Sequence, residues 1–564
     1  MPSAPEELTF TAYAGDGCTL LAFDFDADQR QNLAGFAVWC TAPGGLAHPI
    51  YNRLSFAGGV TSSTTPQEQA DLWTPTDRAP LQRFHWVHFP YTVVPGAYTY
   101  RATAMLYGTP DGSQLIEGPT QELTVELIPP NEAHFTLGFT RGYVSSQAYA
   151  SRFHNAPLAP DPQTISFDTT PYEARYSYLG YDARRMLFAF LDEAIADPDA
   201  TLDVFAYDLD EPDVISRLEQ LGGRMRLFLD NAELHTRQHT DGTYPREVDA
   251  LAVLETSAGA ANVKTGHFAR FSHSKVLILK RGGLAVKVLA GSANFSVRGL
   301  YVQSNNVFVF DDPGAAGFYE TAFNQAWDHP MTQFDDSPIA AGWNAIAADG
   351  VPACEVSFSP HTDADISLDK VADAIRDATS TVLFAVMDIG DSSGPVADEL
   401  ERLKDRPELY AAGTTQSLTG ALKTTTPADP NSPYVPFGYL KDNVPEPFHA
   451  EFGGGRGQVI HHKFVVCDFN GATPVAFAGS SNLAGGGEVE NGDNLVAFSD
   501  RQVATRFAVE AIRLIDHYRF RSAQYTATEN DPLMLQPQGA DWTSSFYDPT
   551  SARFAERRVM AGTA

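Results

Sequence analysis

"HSKVLILK", residues 273–280, is answered at residues 461–468 by "HHKFVVCD". Each reads His-x-Lys followed by four apolar or weakly polar residues, the first ending in Lys280 and the second in Asp468. The offset is 461 − 273 = 188, and the same step carries Gly291-Ser292 to Gly479-Ser480 and Asn294 to Asn482. It also carries Asn305 to Asp493 and Asn306 to Asn494, with no insertion or deletion in either copy. One His-x-Lys arises often by chance, whereas a ladder in fixed register implies two homologous halves.

The segments "HSK…GSAN" and "HHK…GSSN", with "QSNNVFVF" and "NGDNLVAF" downstream, resemble the phospholipase D superfamily. Its mark is His-x-Lys, four residues, Asp, and then Gly-Ser-x-Asn, present twice. The resemblance covers roughly residues 135 to 525. It implies two α/β lobes meeting in one shared active site, and cleavage of a phosphodiester through a phosphohistidine without metal or cofactor. In the family, the residue eleven after the motif asparagine holds the far nitrogen of its own histidine. Carried over, Asn305 stands behind His273 and Asp493 behind His461. The tyrosyl-DNA phosphodiesterases resemble this, with an amide behind the first histidine and a carboxylate behind the second. A carboxylate favours the charged ring, so on this expectation His461 is the general acid and His273 the nucleophile.

The residues suit that chemistry on their own. His and Lys two apart on a strand project from one face. In-line displacement at phosphorus needs a nucleophile on one side and a proton donor on the other, and imidazoles fill both roles near neutral pH. Lys275, Lys463, Asn294 and Asn482 are expected to donate to the nonbridging oxygens, where charge builds. Ser292 and Ser480, or the glycine N–H groups beside them, are further candidate donors. Parity puts positions 280 and 468 off the catalytic face, so Lys280 in place of the family aspartate touches a structural contact and not the chemistry.

Outward from this core the pattern is helix alternating with strand. Asp182 precedes "ARRMLFAFLDEAIA", with Met186, Leu187, Phe190, Leu191 and Ile195 on one helical face. "LDVFAYDLD" reads as a buried strand, "DVISRLEQL" as a helix and "RMRLFLD" as a strand, and the series recurs from 367 onward. Helices between strands imply an α/β fold with a mostly parallel sheet. Asp208 and Asp388 end equivalent strands and are expected either to rim the site or to cap helices. Before the lobes, residues 1 to about 128 show alternating short strands such as "TLLAFDF" and "AYTYRATAMLY", resembling a fibronectin type III or immunoglobulin-like β-sandwich. The expected division is 1–130 sandwich, 131–345 first lobe, and 346–564 second lobe with a C-terminal tail. The sandwich sequence names no partner.

Other features bound the function. His235 and His239 have the i, i+4 spacing of a zinc pair but no accompanying glutamate motif or third ligand nearby, and the expected metal set is none. Residues 414–457 are long for a connector, and Tyr434, Phe437, Tyr439 and Phe448 suit acyl chains, a stacked base or plain packing. Cys18, Cys40, Cys354 and Cys467 lack metal spacing and read as reduced thiols, with a Cys18–Cys40 pair as the alternative in an exported protein. No apolar run spans a membrane and the first residues lack a secretory pattern, so the expectation is a cytoplasmic or non-classically exported protein. The net charge of −31 speaks against phosphate-tracking surfaces. The expected substrate is therefore a phospholipid or related small diester, with hydrolysis or exchange onto an alcohol. A nuclease is the alternative within the superfamily, and a noncatalytic ligand-binding protein the alternative outside it.

Overall fold

The structure, a computed structural model, describes residues 8–127, 134–387, 394–415, 434–436 and 460–563, with backbone alone for 434–436. The first domain is built on two main antiparallel sheets, beside a two-stranded pairing of Tyr51–Asn52 with Thr74–Pro75. One pairs Leu8–Ala14, Thr19–Phe25 and His85–His88, and the other pairs His48–Pro49, Leu33–Thr41, Gly96–Tyr107 and Leu115–Leu127. Period-two alternation turns Phe23 and Phe36 inward, where they stack with centroids 4.4 Å apart. C-terminal residues close this core. Trp542, Phe546 and Tyr547 pack round Phe84, and Trp542 Nε1 donates to the Leu33 carbonyl at 2.8 Å. Cys18, Cys40, Cys354 and Cys467 are buried and unbonded.

The two lobes share one strand order. Named by first residue, the first sheet runs Phe135, Asn306, Leu284, Val276, Ala200, Met225, Val263. The second runs Asn344, Cys354, Asn494, Val475, Phe464, Thr381, Tyr410, Tyr434, the same series with one added edge strand. The sheets are mixed, which corrects the mostly parallel expectation. In the first lobe only Ala200–Met225 and Met225–Val263 are parallel pairs. The reason is local: Val276–Arg281 turns straight back into Leu284–Gly291 through Gly282 and Gly283, both at positive φ (58° and 82°). A two-residue turn of that kind reverses the chain and forces antiparallel pairing. The helix expected after Asp182 spans Glu173–Ala196, and Asp182 follows a backbone break at Tyr181.

A local pseudo-twofold relates the lobes where they meet. Phe310 and Phe498, equivalent by the 188 step, stack at 6.2 Å with planes 14° apart. Phe135 and Phe308 add to the same cluster. Each buried phenylalanine contributes about 1.5–3 kcal/mol, so the lobes share a core and hold their motif loops face to face. No helix among the described residues is long and apolar enough to cross a membrane.

The two non-matching ends of the motifs do different structural work. Asp468 accepts from the amides of Thr379, Ser380 and Thr381 at 2.7–3.1 Å, pinning the entry to the strand Thr381–Val386. Lys280 lies near its strand end and pairs with Asp203 at 3.2 Å and Glu320 at 2.7 Å. Lys280→Asp would gather three carboxylates there, so we expect a loss of about 1–3 kcal/mol in stability. Turnover of the folded fraction should change by less than about threefold. Urea unfolding with kinetics on the folded protein checks both halves; a tenfold loss of turnover would place Lys280 in the site.

Candidate active site

Each His-x-Lys run lies in an extended segment just ahead of its strand, Val276–Arg281 or Phe464–Cys467, and not on the ladder as parity had implied. The run pairs with the other lobe instead: His273 N–H donates to the Gly492 carbonyl at 2.9 Å, and His461 N–H to that of Ser304 at 3.2 Å. This places the rings 6.3 Å apart between centroids.

The crossing decides the partners. His273 Nδ1 lies 2.8 Å from Asp493 Oδ1, and His461 Nδ1 lies 2.9 Å from Asn305 Oδ1. The expectation that each histidine is held by its own half is therefore corrected. The reason is symmetry: in a twofold arrangement, if residue i meets j across the axis, the copy of j meets the copy of i. Asn305 is oriented by donation from its Nδ2 to the Gly299 carbonyl at 2.8 Å, which leaves its Oδ1 to accept from the ring. With Nδ1 engaged, Nε2 of each ring is the nitrogen left for chemistry.

Ser292 and Ser480 are wholly buried, and the geometry assigns them to support, not to substrate as expected. Ser292 Oγ donates to Asn305 Oδ1 at 2.8 Å and accepts from the Asn306 amide at 3.0 Å. Ser480 Oγ accepts from the Asn494 amide at 3.0 Å. The glycine before each serine is required by close approach. A Cβ on Gly291 would sit 2.4 Å from the Asn306 carbonyl oxygen, and on Gly479 2.2 Å from that of Asn494.

Asn294 and Asn482 lie at the ends of these turns. Their side-chain carbonyls are buried and without a partner among the described residues. Asn294 Nδ2 donates to Asp208 Oδ2 at 2.6 Å, so Asp208 supports an asparagine of the site. Asp388 lies outside the described residues, as do Phe437, Tyr439 and Phe448. His462 is packing: it is buried beside Phe139 and Phe464, with Nε2 3.0 Å from Glu510.

Lys275 and Lys463 are buried, and each ammonium donates to the carbonyl of its own histidine, Lys463 at 2.8 Å. Burial pushes the Lys275 pKa down to about 7, and burial with Lys275 nearby pushes Lys463 well below its ordinary value. Burial, then Lys275, lowers His273 to about 4 against the pull of Asp493. Burial, then Lys463 and Lys275, takes His461 well below its ordinary value. An anion between the two lysines would oppose these shifts.

Sequence reasoning missed Tyr207 and weighed His235 only as half of a zinc pair with His239. The Tyr207 ring meets His273 edge-on at 4.7 Å, and Lys275 Nζ lies 4.5 Å from its centroid. His235 does not pair with His239, because its helix Glu233–Thr236 stops short of that residue. Asp208, His235 and Glu247 offer ligand atoms within 4.8 Å of one another, yet both ring nitrogens of His235 are already bonded to carboxylates. The aspartates after each strand hinted at this only weakly.

No family model matches the chain, and no curated protein does. Solved structures do. A phosphatidylserine synthase from Haemophilus influenzae aligns over 66% of this chain and 90% of its own, at 11% identity and TM-score 0.40. A polyphosphate kinase from Porphyromonas gingivalis aligns over 66% of this chain at 13% identity and TM-score 0.38, and this chain spans 55% of that kinase. A yeast tyrosyl-DNA phosphodiesterase mutant aligns over 55% of this chain and 85% of its own, at 11% identity and TM-score 0.30.

Proposed function

We propose that this chain, whose two lobes carry the phospholipase D superfamily fold, is a phosphodiesterase working through a phosphohistidine. The observation that carries the reading is the set of two imidazoles and two lysines buried together with Asn294, with both Nδ1 atoms anchored. His273 Nε2 attacks phosphorus as the bond to the leaving oxygen breaks, and His461 Nε2 delivers the proton to that oxygen. Water then gives a proton back to His461 and attacks phosphorus, and the P–N bond breaks to release the monoester. An alcohol in place of water gives exchange.

The division of labour follows from charge. The ring that attacks becomes positive and stays so through the intermediate, and Asp493 sits at its Nδ1 to balance that charge. The ring that gives up a proton does so more readily with only an amide behind it, which is Asn305 behind His461. The same roles were expected on the ground that Asp493 backs His461; with the partners exchanged that ground is gone, and the assignment proposed here rests on the charge of the intermediate instead. Lys275, Lys463, Asn294 and Asn482 stand ready for the nonbridging oxygens. The diester's own charge favours protonation of His461 and of the lysines, so binding arms the acid.

For substrate we favour a phospholipid or related small diester over nucleic acid, because of the −31 charge and the carboxylates of Asp208 and Glu247 near the site. Labelled phosphatidylcholine, single-stranded DNA and bis(p-nitrophenyl) phosphate, each with and without EDTA, test this. Turnover of a lipid or small diester unaffected by EDTA is expected. EDTA sensitivity restored by zinc would overturn the mechanism, and salt-sensitive DNA cleavage with no lipid turnover would overturn the substrate.

A pH profile follows as well. In the free enzyme His273 is neutral above about 4 and Lys275 loses its charge through about 7. So kcat/KM should rise as His273 loses its proton and fall as His461, itself held well below the ordinary histidine range, and then Lys275 lose theirs, whereas bound diester moves the alkaline limb of kcat to higher pH. Coincident alkaline limbs would show that the lysines do not sense the substrate's charge.

A further inference from the structure

His235 is buried, lies outside both motifs, and has no part in the mechanism above. It stands on a one-turn helix after the strand Met225–Asp230. Its Nδ1 is 2.8 Å from Asp230 Oδ1 and its Nε2 is 2.9 Å from Asp208 Oδ1. Both carboxylates continue toward the site. Asp208 Oδ2 accepts from Asn294 Nδ2 at 2.6 Å. Asp230 Oδ2 accepts from the Ser272 amide at 2.5 Å, one residue before His273. The imidazole edge also meets Tyr207 at 4.5 Å, the same ring that packs on His273 and under Lys275.

Two carboxylates that share one ring each need a donor, and only an imidazolium has a proton on both nitrogens. Buried like charges without such a cation between them would repel strongly. We propose that His235 is a positioning residue, a cation clamped between Asp208 and Asp230 that sets the side chain of Asn294 and the seat of Ser272–His273 for phosphoryl transfer. The inference rests on the phosphodiesterase reading for its effect on turnover, but not for the clamp itself.

The surrounding charges agree with the clamp. Burial opposes the imidazolium, yet its hydrogen bonds to Asp208 and Asp230, and then the charge of Glu247, outweigh it and raise the His235 pKa to about 10. Against burial, His235, Lys275 and Arg298 hold Asp208 below the usual carboxylate range. Glu247, with burial and then Asp208 and Asp210 against it, rises to about 7. Asp210 is itself paired with Arg246 at 2.6 Å. Losing the His235 proton therefore returns repulsion to Asp208 and frees the amide that it holds.

The test uses the full chain with bis(p-nitrophenyl) phosphate and side-chain NMR. His235→Gln keeps roughly the size but carries its donors on one nitrogen and an acceptor oxygen beside it, so it cannot reproduce the donor at each of the two ring-nitrogen positions. It should lower kcat about 10–100-fold with KM within about threefold, the range for lost outer support of a catalytic group. Added to Asn294→Ala, it should cost less than about twofold more, because Asn294 is the group through which it acts. In the wild type, two His235 ring N–H signals should persist at pH 8, and the Asn294 side-chain amide, identified by its loss in Asn294→Ala, should move in His235→Gln. Additive losses, an unmoved Asn294 amide, or a single ring N–H at pH 8 would each overturn the clamp. A wild type that cleaves no diester but shows both NMR signatures would overturn the proposed activity and leave the clamp standing. If His235→Gln does not fold, Asp208→Asn, at a partly exposed side chain, carries the same comparison.

Discussion

His273→Ala and His461→Ala should each lower diester turnover by on the order of 10⁴-fold or more, with the protein still folded. Without His273 no P–N bond forms. Without His461 the leaving oxygen departs as an unprotonated anion. The double variant should be little worse than either single one, because groups acting as a unit are not additive. Folding should survive, since Lys275 and Lys463 donate to the histidine carbonyls and not to the rings. In His461→Ala with labelled substrate carrying a good leaving group, the acid-labile label should sit on the peptide containing "FSHSK". Label appearing only in His273→Ala, on the "HHK" peptide, would reverse the two roles, and turnover within tenfold of the wild type would end the mechanism.

Asp493→Asn should cost about 10²–10⁴-fold in turnover, although Asp493 lies 220 residues from the ring that it serves. The carboxylate stabilises the positive ring, so its removal lowers the His273 pKa. The sign follows: a lower pKa leaves more neutral ring at a given pH, so the acid limb of kcat/KM moves to lower pH while the plateau falls. Asn305→Asp acts on the other ring. It raises the His461 pKa and makes a weaker acid, so a loss of about 10–100-fold is expected, largest for poor leaving groups. If the supports acted on their own halves, Asp493→Asn would leave the His273 limb in place. Rate profiles across pH for the two variants, with a good and a poor leaving group, separate these outcomes.

The ladder His273, Lys275, Asn294 and its copy 188 residues on was legible because each half is a local pattern, with residue types at fixed short spacing. Mixed strand direction was less so, because apolar runs reveal strands but not their sense, and the two glycines after Arg281 were the available cue. The supporting role of Ser292 escaped for a related reason: a hydroxyl serves a substrate or a neighbour equally well until its neighbours are in place.

By itself the sequence determined that two homologous halves exist and which side chains each brings, since a repeat of residue types at fixed spacing is legible within a segment. Only the tertiary structure decided that His273 meets Asp493 and His461 meets Asn305, because those contacts cross the pseudo-twofold at separations of 220 and 156 residues. It also decided that Asp230 and Asp208 converge on His235. No periodicity encodes such meetings. They follow from how two sheets, closed on one aromatic core, bring the segments beside their strands together.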